Sequence, residues 1–232
     1  MEPRDDFETL AESLGLTFKT VDLLKQALVH RSYLNEHRDF PLDHNERLEF
    51  LGDAVLELVV TEHLYNNYPN PEGELTTWRA SLVNAKMLAE LARESSLEPY
   101  LHLSRGEAKD TGKARDYILA NAYEALIGAI YLDQGWEASK QFIIKQLLSR
   151  LDHILEHKLY MDPKSKFQEM AQERLGTTPS YQVVSEEGPD HDKQFEIAVL
   201  LGSDIIGKGK GSSKQEGQMA AAEAALKAKG WR

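Results

Sequence analysis

The spacing of apolar residues changes once along this chain, and that change limits it to a two-part architecture. Up to about residue 158 apolar residues recur at three and four. Examples are FETLAESLGL, TVDLLKQALVHRSYL, NERLEFLGDAVLELVVTEHLYNNYP, LTTWRASLVNAKMLAELARESSL, YILANAYEALIGAIYLDQG and EASKQFIIKQLLSRLDHILEHKL, each with the period of an amphipathic helix. Pro69, Pro71, Pro99 and Gly135 supply the stops. At Met161-Asp162-Pro163 the texture changes: Asp suits an N-cap and Pro the first helical position. One helix, KSKFQEMAQERLG, precedes three β-like runs (YQVVSEEG, KQFEIAVLLG, DIIGKGKG) and an alanine-rich helix, KQEGQMAAAEAALKAKG. The expected chain is multidomain: an all-α domain over residues 1–157 and a small α+β domain, ordered α-β-β-β-α, over 162–231.

Within the helical part, NERLEFLGDAVLEL carries Glu46, Glu49, Asp53 and Glu57. At about 100° per residue all four share an arc of roughly 80°, with Leu51, Val55 and Leu58 expected on the other side. A solvated face is the ordinary explanation of such a stripe. Against it, Phe50 and Ala54 border the arc, so it is not simply outward-facing. Gly52 stands mid-helix, where it costs about 1 kcal/mol relative to Ala and so needs a packing reason. Like charges at this spacing also repel unless a cation lies between them. A second segment, ANAYEALIGAIYLD, places Asn121 and Glu124 three residues apart among small residues. If the two helices pack, Glu49, Asp53, Asn121 and Glu124 can converge as oxygen ligands. Oxygen-only ligation suits a hard cation such as Mg²⁺, with Mn²⁺ as a substitute.

Other metals fit less well. None of the eight histidines has Glu three residues before it, which disfavours a di-iron bundle. HILEH at 153–157 matches a zinc-protease pattern only over five residues at a helix end. The chain has no cysteine, hence no disulfide and no thiolate site. No apolar run is long enough for a membrane span, and MEPRDDFETL lacks a signal-peptide pattern, so a cytoplasmic location is expected. Net charge is −11, which alone argues against a nucleic-acid binder. Nearly all of that excess lies before Asp162, however, and the segment after it is close to balanced.

These residues resemble bacterial ribonuclease III, the double-stranded-RNA endonuclease. NERLEFLGDAVLEL is similar to its signature; HRSYLNE (30–36), ASLVNAKMLAELA (80–92) and ILANAYEALIGAIYLDQG (118–135) are similar to its nuclease domain. Residues from Pro163 onward resemble a double-stranded-RNA-binding domain. The resemblance implies magnesium-dependent hydrolysis of duplex RNA to 5′-phosphate and 3′-hydroxyl ends by a homodimer, with no organic cofactor, covalent intermediate or histidine pair. Ribosomal, messenger and transfer RNA precursors are the substrates it implies. By position, Glu49, Asp53 and Glu124 match acidic metal ligands, Asp53 and Glu124 the essential pair, and Glu46 a carboxylate near the dimer interface linked to scissile-bond choice. Glu57 has no catalytic counterpart. Asn121 departs from the family's usual Asp, removing one negative charge but keeping a carbonyl oxygen.

In the tail the resemblance implies that Gln168 and Glu169 face an RNA minor groove and His191 a second one. Lys208, Lys210 and Lys214 are expected to cluster before the last helix and meet phosphates. The helix start reads SSKQEGQ, with Gln215 and Gly217 where relatives often have lysine and alanine, so weaker RNA binding is expected. Arg79, Ser81 and Lys113 are further candidates for phosphate contact. Two rival readings are a non-cleaving RNA-binding protein, supported only by Asn121, and a helical metalloprotein unrelated to RNA, which makes the tail a coincidence.

Overall fold

A computed structural model of the chain describes residues 3–189 and 193–231. It forms two compact units that divide between Leu155 and Glu156. Among the described residues, the first unit's α-helices are α1 (Phe7–Leu14), α2 (Val21–Ala27), α3 (Arg31–Glu36), α4 (Glu46–Asn67), α5 (Glu72–Leu82), α6 (Ala85–Glu94), α7 (Lys113–Gln134), α8 (Trp136–Gln146) and α9 (Leu151–Glu156), the last ending at the division.

Two glycines determine how this unit packs. Gly52 on α4 lies against the backbone of Glu124 and Gly128 on α7, and Gly128 lies against Leu48. A Cβ at either position would overlap a carbonyl oxygen of the facing helix. The absence of side chains lets the two 22-residue helices approach backbone to backbone, which explains the mid-helix Gly52. Leu48, Val55, Leu56, Val59, Val60 and Leu64 of α4 are buried, and α7 is buried over most of its length. The buried carboxylate of Asp133 accepts the backbone N–H groups of Lys19 and Thr20, both at 2.8 Å, tying the α1–α2 link to the end of α7.

The structure departs from the helical reading in three places, one of them EASKQFIIKQLLSRLDHILEHKL, which divides into α8 and α9 at a 3-10 turn over Leu148–Arg150. TVDLLKQALVHRSYL is two helices, interrupted where His102 N–H donates to Leu28 (2.8 Å) and His30 N–H to His102 (3.0 Å). LTTWRASLVNAKMLAELARESSL also divides, because the Asn84 side chain caps α6 by accepting Met87 N–H at 3.0 Å.

The second unit runs α10 (Pro163–Leu175), β1 (Ser180–Glu187), β2 (Gln194–Leu201), β3 (Asp204–Gly211) and α11 (Lys214–Lys229). The α-β-β-β-α order of the sequence reading holds. Asp162 caps α10 by accepting Lys164 and Ser165 N–H groups. The antiparallel sheet, in order β1-β2-β3, pairs Val183 with Ile197 and Ile197 with Gly209. Phe167, Ile197, Val199, Ala221 and Ala225 form the core between sheet and helices. Gly207 and Gly209 face α11, where a Cβ would strike Ala221 or Ala220.

Candidate functional site

The α4–α7 contact brings the acidic residues of the two helices within electrostatic reach. Burial raises the Glu124 carboxyl to about 7, with Asp53, Glu49 and Glu57 adding to the shift. Burial also raises Glu49, with Glu46 and Asp53 adding. Asp53 is thus common to both, and is itself exposed. Asn121 is half-buried one turn before Glu124 on the same helix. Glu46 stands at the rim, paired with Arg31 at 3.0 Å and with His44 at 3.8 Å if that imidazole is protonated. Glu57 is engaged on the other side by Arg79 at 3.2 Å.

Among the described residues no group of three or more Asp, Glu or His side chains stands ready to hold a metal ion. The donor set nevertheless fits magnesium. That ion takes one or two carboxylates, keeps several waters and completes its shell with substrate phosphate oxygens. Carboxylates that raise one another's pKa are the kind of site a divalent cation relieves.

The apolar border of the acidic arc differs from expectation. Phe50 is 82% exposed and Leu58 56% exposed, as is Tyr65 at 78%. With Ala54 and Thr61 they form an outward stripe along α4. Leu58 therefore does not belong to the buried side, where Leu48, Leu56 and Val59 lie instead. A groove of about 720 Å³ adjoins this stripe, lined by Tyr65, Tyr68, Leu75 and Arg79 among others.

Of the further candidates, Arg79 also donates to Thr61 Oγ1 at 2.9 Å, Ser81 donates to the Trp78 carbonyl at 2.6 Å, and Lys113 is exposed at the start of α7. In the second unit Gln168 and Glu169 are exposed on α10, the latter paired with Lys158. Gln168 shares a polar hollow with Lys164, Gln215 and Gln218 at the N-terminal ends of α10 and α11. Lys208 and Lys210 alternate with the glycines that face α11, so they project from the opposite face of the sheet, whereas Lys214 begins α11. Gly217 is a packing residue as well as a helix weakener, because a Cβ there would meet Ile197 Cγ1 at 2.6 Å. His191 lies outside the described residues.

The chain is thus a helical domain with an acidic window, followed by a small sheet-and-helix module. Residues 21–151 match the Ribonuclease-III-like family and residues 163–229 the Double-stranded RNA binding motif. Ribonuclease 3 of Desulforamulus reducens is 46% identical over 94% of this chain and 89% of its own length. That of Natranaerobius thermophilus is 45% identical over 95% of each. A nuclease-domain structure of Campylobacter jejuni ribonuclease III, described for flexibility in a region involved in dimer formation, aligns at a TM-score of 0.56 with 40% identity, covering 62% of this chain and 97% of its own. The chain belongs to the ribonuclease III family of double-stranded-RNA endoribonucleases.

The raised carboxyl has a consequence for stability. Glu124 ionises in the unfolded chain near 4.5 and in the folded one near 7. Its penalty is absent below the lower value, grows between the two and is complete above the higher. In chelator, Glu124→Gln is expected to stabilise the protein at pH 8 by roughly 1 kcal/mol, after allowing for solvent screening of a half-buried group. At pH 4 it is expected to change nothing. Thermal unfolding at the two pH values checks this; an equal effect at both contradicts it.

Proposed function

We propose that this endoribonuclease cuts duplex RNA with a divalent cation, Mg²⁺ or Mn²⁺, held by Glu49, Asp53 and Glu124 with the Asn121 carbonyl oxygen. The observation that carries this reading is the backbone contact of α4 with α7 at Gly52 and Glu124, which sets Glu49 and Asp53 beside a carboxyl whose pKa burial raises. When bound, the ion supplies charge neutralisation at the phosphate and activation of a water. The chain's own part is to aim oxygen ligands from two rigid helices and to release the Glu124 proton as the site is occupied. Asn121 adds an oxygen without charge, so the site carries one negative charge fewer than four carboxylates would. The products are 5′-phosphate and 3′-hydroxyl ends. Precursors of ribosomal, messenger and transfer RNA are the substrates proposed, in the cytoplasm. Among the described residues no helix is long and apolar enough to cross a membrane.

In the second unit, Gln168 and Glu169 would face a minor groove, His191 a second one, and Lys214 a phosphate at the helix end. Lys208 and Lys210 contribute a more diffuse positive face.

Each chain has one such acidic window, and a duplex has two strands. The exposed Phe50–Leu58–Tyr65 stripe beside a groove supports a homodimer, since contiguous apolar surface of this kind marks an interface. Sedimentation is expected to give the mass of two chains for the wild type and of one for Phe50→Asp combined with Leu58→Asp. A monomeric wild type at micromolar concentration would remove this part of the proposal.

Incubation with a long RNA duplex and its separate strands, in Mg²⁺ and in chelator, tests the reaction. Only the duplex in Mg²⁺ is expected to be cut, and Glu124→Gln is expected to slow cutting at least about a hundredfold, the loss of some 2.7 kcal/mol of transition-state stabilisation. Equal cutting in chelator refutes the metal reading.

A further inference from the structure

Along its central stretch, helix α7 opens to solvent in one narrow window. Between residues 117 and 130 every side chain is buried except three, Tyr117, Asn121 and Glu124. They stand at i, i+4 and i+7, which places them in one line on one face of the helix. Two of them belong to the acidic site. The third is a tyrosine that is 60% exposed.

The rotation of this helix is held from the other side. Arg115 pairs with Glu98 at 2.9 Å and Asp116 with Arg93 at 2.5 Å, anchoring the residues immediately before Tyr117. Its exposure therefore follows from a clamped helix, and it shares the line of Asn121 and Glu124. At 1.5 Å per residue, Tyr117 and Glu124 are separated by about 10 Å along the axis, so a backbone held at Glu124 passes Tyr117 at a neighbouring nucleotide.

The charge balance gives this position a task. Glu49, Asp53, Glu57 and Glu124 repel one another and also repel phosphate. Apart from the cation, attraction must come from groups that bind RNA without adding negative charge. A tyrosine offers a neutral O–H donor to sugar or phosphate oxygens, and its ring adds contact area at little entropic cost.

We propose that Tyr117 is a substrate-contact residue of this nuclease, its hydroxyl bonding the sugar–phosphate backbone of the strand cut at Glu124, at a nucleotide next to the cut. The proposal rests on the nuclease reading of the acidic window. The contact is with the backbone and not with a base, because duplex RNA is recognised mostly by shape, through its 2′-hydroxyls and phosphates. It serves ground state and transition state alike, so it acts on KM.

Steady-state cleavage of one defined duplex by wild type, Tyr117→Phe and Tyr117→Ala tests it. Tyr117→Phe is expected to lose about fivefold in kcat/KM through KM, with kcat unchanged, as expected for removal of one uniform hydrogen bond. Tyr117→Ala is expected to lose about tenfold or more. Single 2′-deoxy substitutions near the cut identify the acceptor. A penalty seen with wild type and absent with Tyr117→Phe assigns the contact to a ribose 2′-hydroxyl. Equal penalties in both, alongside the KM loss, assign it to a phosphate oxygen. Variants within twofold of wild type in KM overturn the proposal and leave the nuclease reading intact. A fall in kcat alone also overturns it, since that would mark a structural effect on the site. A wild type that cuts no duplex RNA overturns both.

Discussion

The first unit depends on one contact, the backbone-to-backbone approach of α4 and α7 at Gly52 and Gly128. Any side chain at those positions would force the helices apart. Close approach brings Asp53 and Glu49 to the α7 side and Glu124 to the α4 side. The glycine cost in helix propensity is thereby offset by packing, and the same packing creates the electrostatic strain of the site. Burial and like charge act together on Glu124, which holds its proton to about 7. A divalent cation is the simplest relief for that arrangement, and phosphodiester hydrolysis is the chemistry such a cation supports.

The placement of the carboxylates was legible because it is local. Helical periodicity alone puts Glu46, Glu49, Asp53 and Glu57 on one arc, and Gly52 announced that another backbone comes close. Long-range pairing was not legible. The break at Leu28–His30 exists because His102 bonds to those residues from far along the chain. The outward direction of Phe50 and Leu58 was hidden for a different reason. An apolar side chain reads the same whether it fills a core or waits for a partner surface. Tyr117 was missed although its signal was present, since counting back from Glu124 by seven reaches it.

The second unit shows the same division. Its element order followed from the change of period at Asp162, and its capping by Asp162 from residue type. The lysines of GKGKG alternate with glycines, and that alternation is informative. Glycines that meet α11 leave the intervening lysines on the other face of the strand. Gly217, which by composition looks like a weak point in α11, instead lets that helix settle against Ile197.

The account stands on the closeness of α4 and α7 and the coupling of their carboxylates. The most direct measurement is the titration of the Glu124 side-chain carboxyl by NMR in the metal-free protein, repeated with Asp53→Asn. The account predicts a midpoint about 7 in the wild type and a lower one in the variant. A wild-type midpoint at the ordinary glutamate value of 4.5, unmoved by the substitution, would contradict it.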